Sequence, residues 1–269
     1  MTCKNCSIEL HGKFCHECGE KVIEENDFSL VKIIGEFFQA LTFLDNKVFR
    51  TVWNLISKPG LLSSEYLEGR RIKYLRPIGL FFLVNIVYFL AGSLNDFTPD
   101  LSHQYYYTPY KNVAQKIINE KVEEQKTNYE DFQSRFNVKS ENYAKSLVIV
   151  NVPLLAFFFF SLNFKRRAFY AQHLIFSFHY FAFILLAITI IPAPISWIVD
   201  LLDSSSNYES VSQLVILILV FAYSFFSLQR FYQHRWYMAL ILSILIFPIL
   251  FICMTAFKFV LLHFTLYWM

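Results

Sequence analysis

The sequence predicts an all-α integral membrane protein of about five transmembrane helices, preceded by a small four-cysteine zinc ribbon and amphipathic interfacial helices. Apolar residues make up 55% of the 269 positions, and mean hydropathy is +0.39. They gather into five stretches free of Asp, Glu, Lys and Arg: 78–94, 146–164, 174–199, 210–229 and 236–257. A helix needs roughly 17–25 mostly apolar residues to cross a bilayer, so each stretch suffices. The third observation stands at the start of the chain, where four cysteines fall into two Cys-x2-Cys pairs.

These pairs are Cys3, Cys6, Cys15 and Cys18, spaced x2, x8 and x2. A Cys-x2-Cys turn aims two thiolates at one point, and two facing turns make a tetrahedral four-sulfur site suited to zinc. Gly12 and Gly19 suit tight turns that need positive φ. Lys4, Lys13 and Lys21 can offset the excess negative charge of four thiolates. A module this small has no core of its own, so the metal would supply its folding energy. A closed four-sulfur site leaves no open position for substrate, which makes the zinc structural rather than catalytic. His11 and His16 read as solvated, and Cys253 in the last span as a small core residue. Residues 1–22 are thus a zinc ribbon. They hold no apolar h-region, so no cleavable signal peptide is expected and the N-terminus stays cytosolic.

Residues 23–77 read as amphipathic and basic juxtamembrane helices. Leu30, Ile33, Ile34, Phe37, Phe38 and Leu41 follow a helical period, and Val48, Phe49, Val52, Leu55 and Ile56 resume it after Asp45-Asn46. Lys58-Pro59-Gly60 stops it. Two placements are open: in the membrane interface, or packed against the bundle or a partner. Next comes YLEGRRIKYLRP, 66–77, in which Arg70, Arg71, Lys73 and Arg76 gather. Two readings stand here as well, a positive-inside anchor or a phosphate or lipid-headgroup site gripped by paired guanidiniums. The cysteine knuckles, Lys58-Pro59, Tyr66, Gly69-Arg70-Arg71, Tyr74, Pro77 and His173 before a Phe-rich helix together resemble the bacterial membrane family known as domain of unknown function 3667. That resemblance implies a bacterial inner (cytoplasmic) membrane protein with a cytosolic ribbon, and brings no activity with it.

Residues 78–269 form the transmembrane bundle, with an extracytoplasmic helical insertion at 95–145. The basic sites 58–76, 165–167 and 230–235 fall on one side of it, while Asp200, Asp203 and Glu209 mark the other. Lys and Arg mark cytoplasmic loops, so the N-terminus is placed inside and the C-terminus outside. In the insertion, Ile118, Val122, Tyr129, Phe132 and Phe136 sit at helical spacing around Gln125, which predicts a helical hairpin over the bundle. The Tyr-rich run at 105–110 reads as an interfacial aromatic belt. Pro192, Pro194 and Pro248 end or kink helices, and Pro153 lies in a first turn.

Polar residues inside the spans are Asn85 and Tyr88 in the first, and His173 and His179 in the third. Each is either an interhelical hydrogen-bonding group or a functional one. No acidic residue lies deep in a span, which argues against a proton relay. The phosphate-loop, nucleophile-elbow, HExxH and dinucleotide fingerprints are all missing from the sequence. A net charge of +3 gives no reason to expect nucleic acid as a partner. The leading expectation is a non-enzymatic polytopic protein in contact with membrane lipids, its ribbon an interaction or regulatory module for a cytosolic protein, with a homo-oligomer allowed. The alternatives are a channel or transporter built on Asn85 and His179, and a membrane enzyme using His173 with Arg70 and Arg71 on lipid headgroups.

Overall fold

The computed structural model describes residues 2–3, 5–9, 12, 14–19, 46–91, 97–167, 169–201 and 207–269. The expected helix around Leu30–Leu41 lies outside these, as do Lys4, Lys13, Lys21, His11 and Asp203. Among the described residues no strand occurs, only an isolated bridge between Thr2 and Glu9. The regular structure is otherwise helical, as the hydropathy pattern requires: a chain in lipid must satisfy its backbone groups internally.

In chain order the helices are α1 (Asn46–Ser57), α2 (Leu61–Leu67), α3 (Pro77–Ala91), α4 (Leu101–Tyr106), α5 (Lys111–Glu124) and α6 (Tyr129–Leu147). A 3-10 turn, Val148–Val150, joins α6 to α7 (Asn151–Asn163). Then follow α8 (Tyr170–Ile190), α9 (Pro192–Leu201), α10 (Tyr208–Tyr232) and α11 (Trp236–Tyr267). Four continuous helical stretches are long and apolar enough to cross a membrane: Tyr129–Asn163, Tyr170–Leu201, Tyr208–Tyr232 and Trp236–Tyr267. Of the fifth apolar segment the described residues form the 15-residue helix α3, about 22 Å at 1.5 Å per residue.

Helix α8 is the centre of the bundle, with 13 of its residues buried between His173 and Ala187. A helix apolar on all faces belongs inside. α3 and α7 pack along α8, with Phe81 edge-on to Phe178 and Phe159 edge-on to Phe176. α10 runs antiparallel to it: Phe176 stacks on Phe231 at 4.7 Å and Phe183 on Tyr223 at 3.6 Å between centroids. The Tyr180 hydroxyl donates to Ser224 Oγ at 2.6 Å, because the Ser224 proton goes to the Val220 carbonyl. Pro192 opens α9, Pro153 sits in the first turn of α7, and Pro248 lies inside α11.

Residues 97–147 fold over one end of the bundle. α5 and α6 form a hairpin whose turn has Lys126 at φ 50°. Ile118, Phe132 and Phe136 make a second small core with Leu262 and Leu266 of α11. Of the Tyr-rich run, Tyr105 and Tyr110 pack on that core, while Tyr106 and Tyr107 are exposed.

The opposite end is tied together by the basic segments. Arg167 donates to the Phe231 carbonyl at 3.1 Å and lies 4.8 Å over the Phe231 ring. His234 Nε2 donates to Asn163 Oδ1 at 2.6 Å, the Asn163 amide being spent on the Phe159 carbonyl. Arg230 donates to the Pro59 carbonyl at 2.8 Å. The three basic sites of the sequence therefore share one end of the bundle, across from the 97–147 hairpin.

Candidate functional sites: a sulfur cluster and a wedge in the bundle

Two arrangements stand out, one local and one assembled from distant parts of the chain. The local one is the cysteine cluster. Cys3 Sγ lies 3.6 Å from Cys18 Sγ, and Cys6 Sγ lies 3.5 Å from Cys15 Sγ. All four sulfurs fall within 4.8 Å of one another. A disulfide would need about 2.05 Å, so these are free thiols. A tetrahedron of thiolates at ~2.3 Å from an ion has edges of about 3.8 Å, close to the spacing found. These four residues can hold a metal ion.

The two knuckles are built alike. The Ser7 N–H donates to the Cys3 carbonyl at 2.8 Å, and the Gly19 N–H donates to the Cys15 carbonyl at 2.8 Å. Both closing residues have positive φ, 65° at Ser7 and 70° at Gly19. Gly19 is where the spacing places it, but Gly12 is not among the positive-φ residues. Ser7 takes the matching position in the first knuckle, a role that a serine does not advertise in sequence.

The second arrangement is a wedge made by residues 46–76. α1 and α2 form a helical hairpin on the basic end, its turn at Lys58-Pro59-Gly60. The turn fits only because Gly60 has no side chain. Its φ is 77°, and a Cβ there would stand 2.9 Å from the Ser227 carbonyl oxygen of α10. α2 then reaches the central helix, where Ser63 Oγ and His179 Nδ1 share a 2.8 Å hydrogen bond. His179 is nine residues into α8, roughly 13 Å along its axis. Ser63 is 1% exposed and His179 3%, so the pair is sealed inside protein. α1 and α2 pack against the bundle. α1 still presents Phe49 and Trp53 outward, 77% and 62% exposed.

The chain leaves the wedge through Gly69, at φ 93°. Arg70 lies between Glu65, 3.5 Å away, and Glu68. Arg71 sits 4.4 Å over the Tyr66 ring and donates to the Tyr66 carbonyl at 3.2 Å. The two guanidiniums thus have separate partners within the wedge. Burial, followed by a hydrogen bond to Glu65 and its negative charge, pushes the Tyr74 hydroxyl up to about 12, so it stays protonated. The Leu75 N–H donates to Thr51 Oγ1 at 3.0 Å, which ties the exit strap back to α1. Lys73 and Arg76 are exposed.

The remaining polar candidates do not converge. Asn85 donates to the Lys145 carbonyl at 2.9 Å, and Tyr88 is buried beside Phe97. His173 Nε2 donates to the Arg167 carbonyl at 3.0 Å, which fixes the tautomer, and Nδ1 accepts from the Tyr232 hydroxyl at 2.8 Å. What the sequence could not supply was the partner of His179, which lies 116 positions earlier.

Fold and sites define a helical, membrane-type protein with a potential metal cluster at its N-terminus. Residues 45–89 match the model of a protein family of unknown function, DUF3667. The matched stretch covers α1, α2, the Arg70–Arg76 strap and nearly all of α3. It includes Lys58-Pro59, Tyr66, Gly69-Arg70-Arg71, Tyr74 and Pro77, while the cysteine knuckles and His173 fall outside it. No curated protein and no solved structure matches the chain.

Proposed function

We propose that this is a polytopic protein of a bacterial inner membrane whose N-terminal cysteine cluster holds one structural zinc ion and serves as a cytosolic interaction or regulatory module. The observation that carries the reading is the near-tetrahedral spacing of four free sulfurs, 3.5 and 3.6 Å across the two measured edges. Zinc is the metal that prefers four thiolates in this geometry, and a closed four-sulfur site organises a surface rather than a reaction. The basic end of the bundle, with Lys73 and Arg76 exposed, serves as its headgroup-level anchor and faces the cytosol by the positive-inside rule.

Elemental analysis of the purified protein tests the metal and is expected to give one zinc per chain. A chain free of metal would overturn that part. Cross-linking in cells, read by mass spectrometry, tests the module: adducts to another protein should concentrate in residues 1–45 and disappear in Cys15→Ser. Adducts unchanged by Cys15→Ser would refute the interaction role while leaving the metal in place.

A further inference from the structure

The wedge does not fill the space it enters. A cleft of about 370 Å³ remains between the hairpin turn and the faces of α8 and α10. Its walls are Ile56 and Pro59 on the wedge, Phe183 and Ala187 on α8, and Ala222 and Tyr223 on α10. It continues along α8 to Ile191, a run of roughly 12 Å from Phe183 at 1.5 Å per residue. The lining is mostly carbon, and its rim includes the exposed side chains of Ile190 and Phe226.

Two cations stand at its basic end. Arg230 is exposed and spends one guanidinium nitrogen on the carbonyl of Pro59, a residue of the wall. Lys58 is exposed in the same turn and has no carboxylate partner among the described residues. Arg70 differs, because Glu65 and Glu68 already engage it.

An apolar slot along the central helix, with Lys58 and Arg230 at its basic end and no carboxylate paired with either among the described residues, matches one kind of molecule. We propose that this cleft binds an anionic phospholipid from the leaflet on the side of the basic loops. One acyl chain lies between the wedge, α8 and α10, and the phosphate meets Lys58 and Arg230. The lipid completes the packing of the wedge against α10. This does not rest on the zinc reading: the cysteine cluster contributes nothing to the cleft.

The test uses the full chain in detergent, titrated with phosphatidylglycerol or phosphatidylcholine and read by native mass spectrometry. The wild type should retain one phosphatidylglycerol per chain, bound more tightly than phosphatidylcholine. Lys58→Ala should weaken phosphatidylglycerol about fivefold and leave phosphatidylcholine unchanged. Ala222→Phe, which fills the slot, should weaken both lipids about tenfold or more. Equal binding of the two lipids by the wild type would overturn the proposal. So would unchanged retention in Ala222→Phe, or a doubled mass that Ala222→Phe abolishes, which would mean that a second copy occupies the cleft. Phosphatidylglycerol with a diazirine-bearing chain, photolysed on the wild type, removes any dependence on how the variants fold. Adducts confined to 56–59, 183–191 and 219–226 support the site. Adducts spread evenly over the exposed spans refute it.

Discussion

The wedge rests on a single absent side chain, and Gly60→Ala measures what that absence is worth. Two costs follow from the geometry. At φ 77° an L-residue sits in the left-handed region, about 1–2 kcal/mol above its preferred conformation. The new Cβ would also stand 2.9 Å from the Ser227 carbonyl oxygen and 3.1 Å from the Ser227 Cα, both backbone atoms of a packed helix. Neither can swing away, so the hairpin must retreat by several tenths of an ångström, an overpacking cost of about 1–3 kcal/mol. The sum is roughly 2–5 kcal/mol. Gly79→Ala in α3 is the control. Nothing lies within 4 Å of its would-be Cβ, so it should be neutral or stabilise by up to about 1 kcal/mol through helix propensity. Gly60→Asn separates the two costs, because Asn tolerates positive φ but is larger than Ala. Thermal unfolding in one fixed detergent, followed by tryptophan fluorescence, should rank Gly79→Ala at or above wild type and both Gly60 variants well below it. Gly60→Ala within about 0.5 kcal/mol of wild type would refute the close approach. If Gly60→Asn were restored to wild-type stability, strain would be the whole cost and contact with α10 none of it.

Other outcomes follow from the same contacts. Cys3→Ser or Cys18→Ser should abolish the metal binding proposed for the cluster and unfold residues 2–19 without lowering the thermal transition of the bundle, as read by metal content and by proteolysis of the N-terminus. Ser63→Ala and His179→Ala should each destabilise, and the double-mutant cycle should give a coupling of about 0.5–2 kcal/mol; zero coupling would mean that the 2.8 Å bond carries no energy. Tyr232→Phe strips His173 Nδ1 of its donor and should cost about 1–2 kcal/mol, whereas Tyr170→Phe, on the exposed Pro153 carbonyl contact, should cost less. His103 and His234 are both held below their ordinary 6.5, first by burial and then by Lys258 and Arg166 respectively. The unfolded chain therefore binds protons more readily. Stability is complete above pH 6.5 and falls as pH drops through the window between 6.5 and each lowered value. His103→Gln and His234→Gln should each flatten that fall, and a wild type more stable at pH 5.5 than at 7.5 would contradict the sign.

Features fixed by short-range rules were legible in the sequence. The four cysteines announce their cluster because a knuckle is a local turn, and the long spans announce themselves because lipid demands uninterrupted apolar helices. The charge of the short loops sorted the ends of the bundle because Lys and Arg cluster in 58–76, 165–167 and 230–235. The wedge was not legible, for an equally physical reason. LLSSEYL has seven residues, too few to display a period, and its two serines read as surface. Its placement is decided by His179 and Ser227, far along the chain, which no local pattern encodes. Arg70 is a different case: Glu65 and Glu68 lie within five positions of it and both reach its guanidinium, a pairing that the run of positive charge does not display.

That contrast bears on why a family model finds residues 45–89 and not the longer spans. A lipid-facing position such as Leu214 or Phe251 needs only to be apolar, and many residues meet that demand. In the wedge the demand is for particular atoms. Gly60 has to clear the Ser227 carbonyl, and Ser63 has to present an oxygen to His179. Thr51 has to accept from the Leu75 amide, and just beyond the wedge, in α3, Asn85 has to reach the Lys145 carbonyl. Three separate elements, α6, α8 and α10, thus set requirements on one short stretch of chain, and the strap at Leu75 sets a fourth. The wedge is therefore a part of the bundle where identity is specified by chemistry rather than by hydropathy. The cleft beside it shares one wall with that stretch, so a ligand seated there would bear directly on the packing of the wedge.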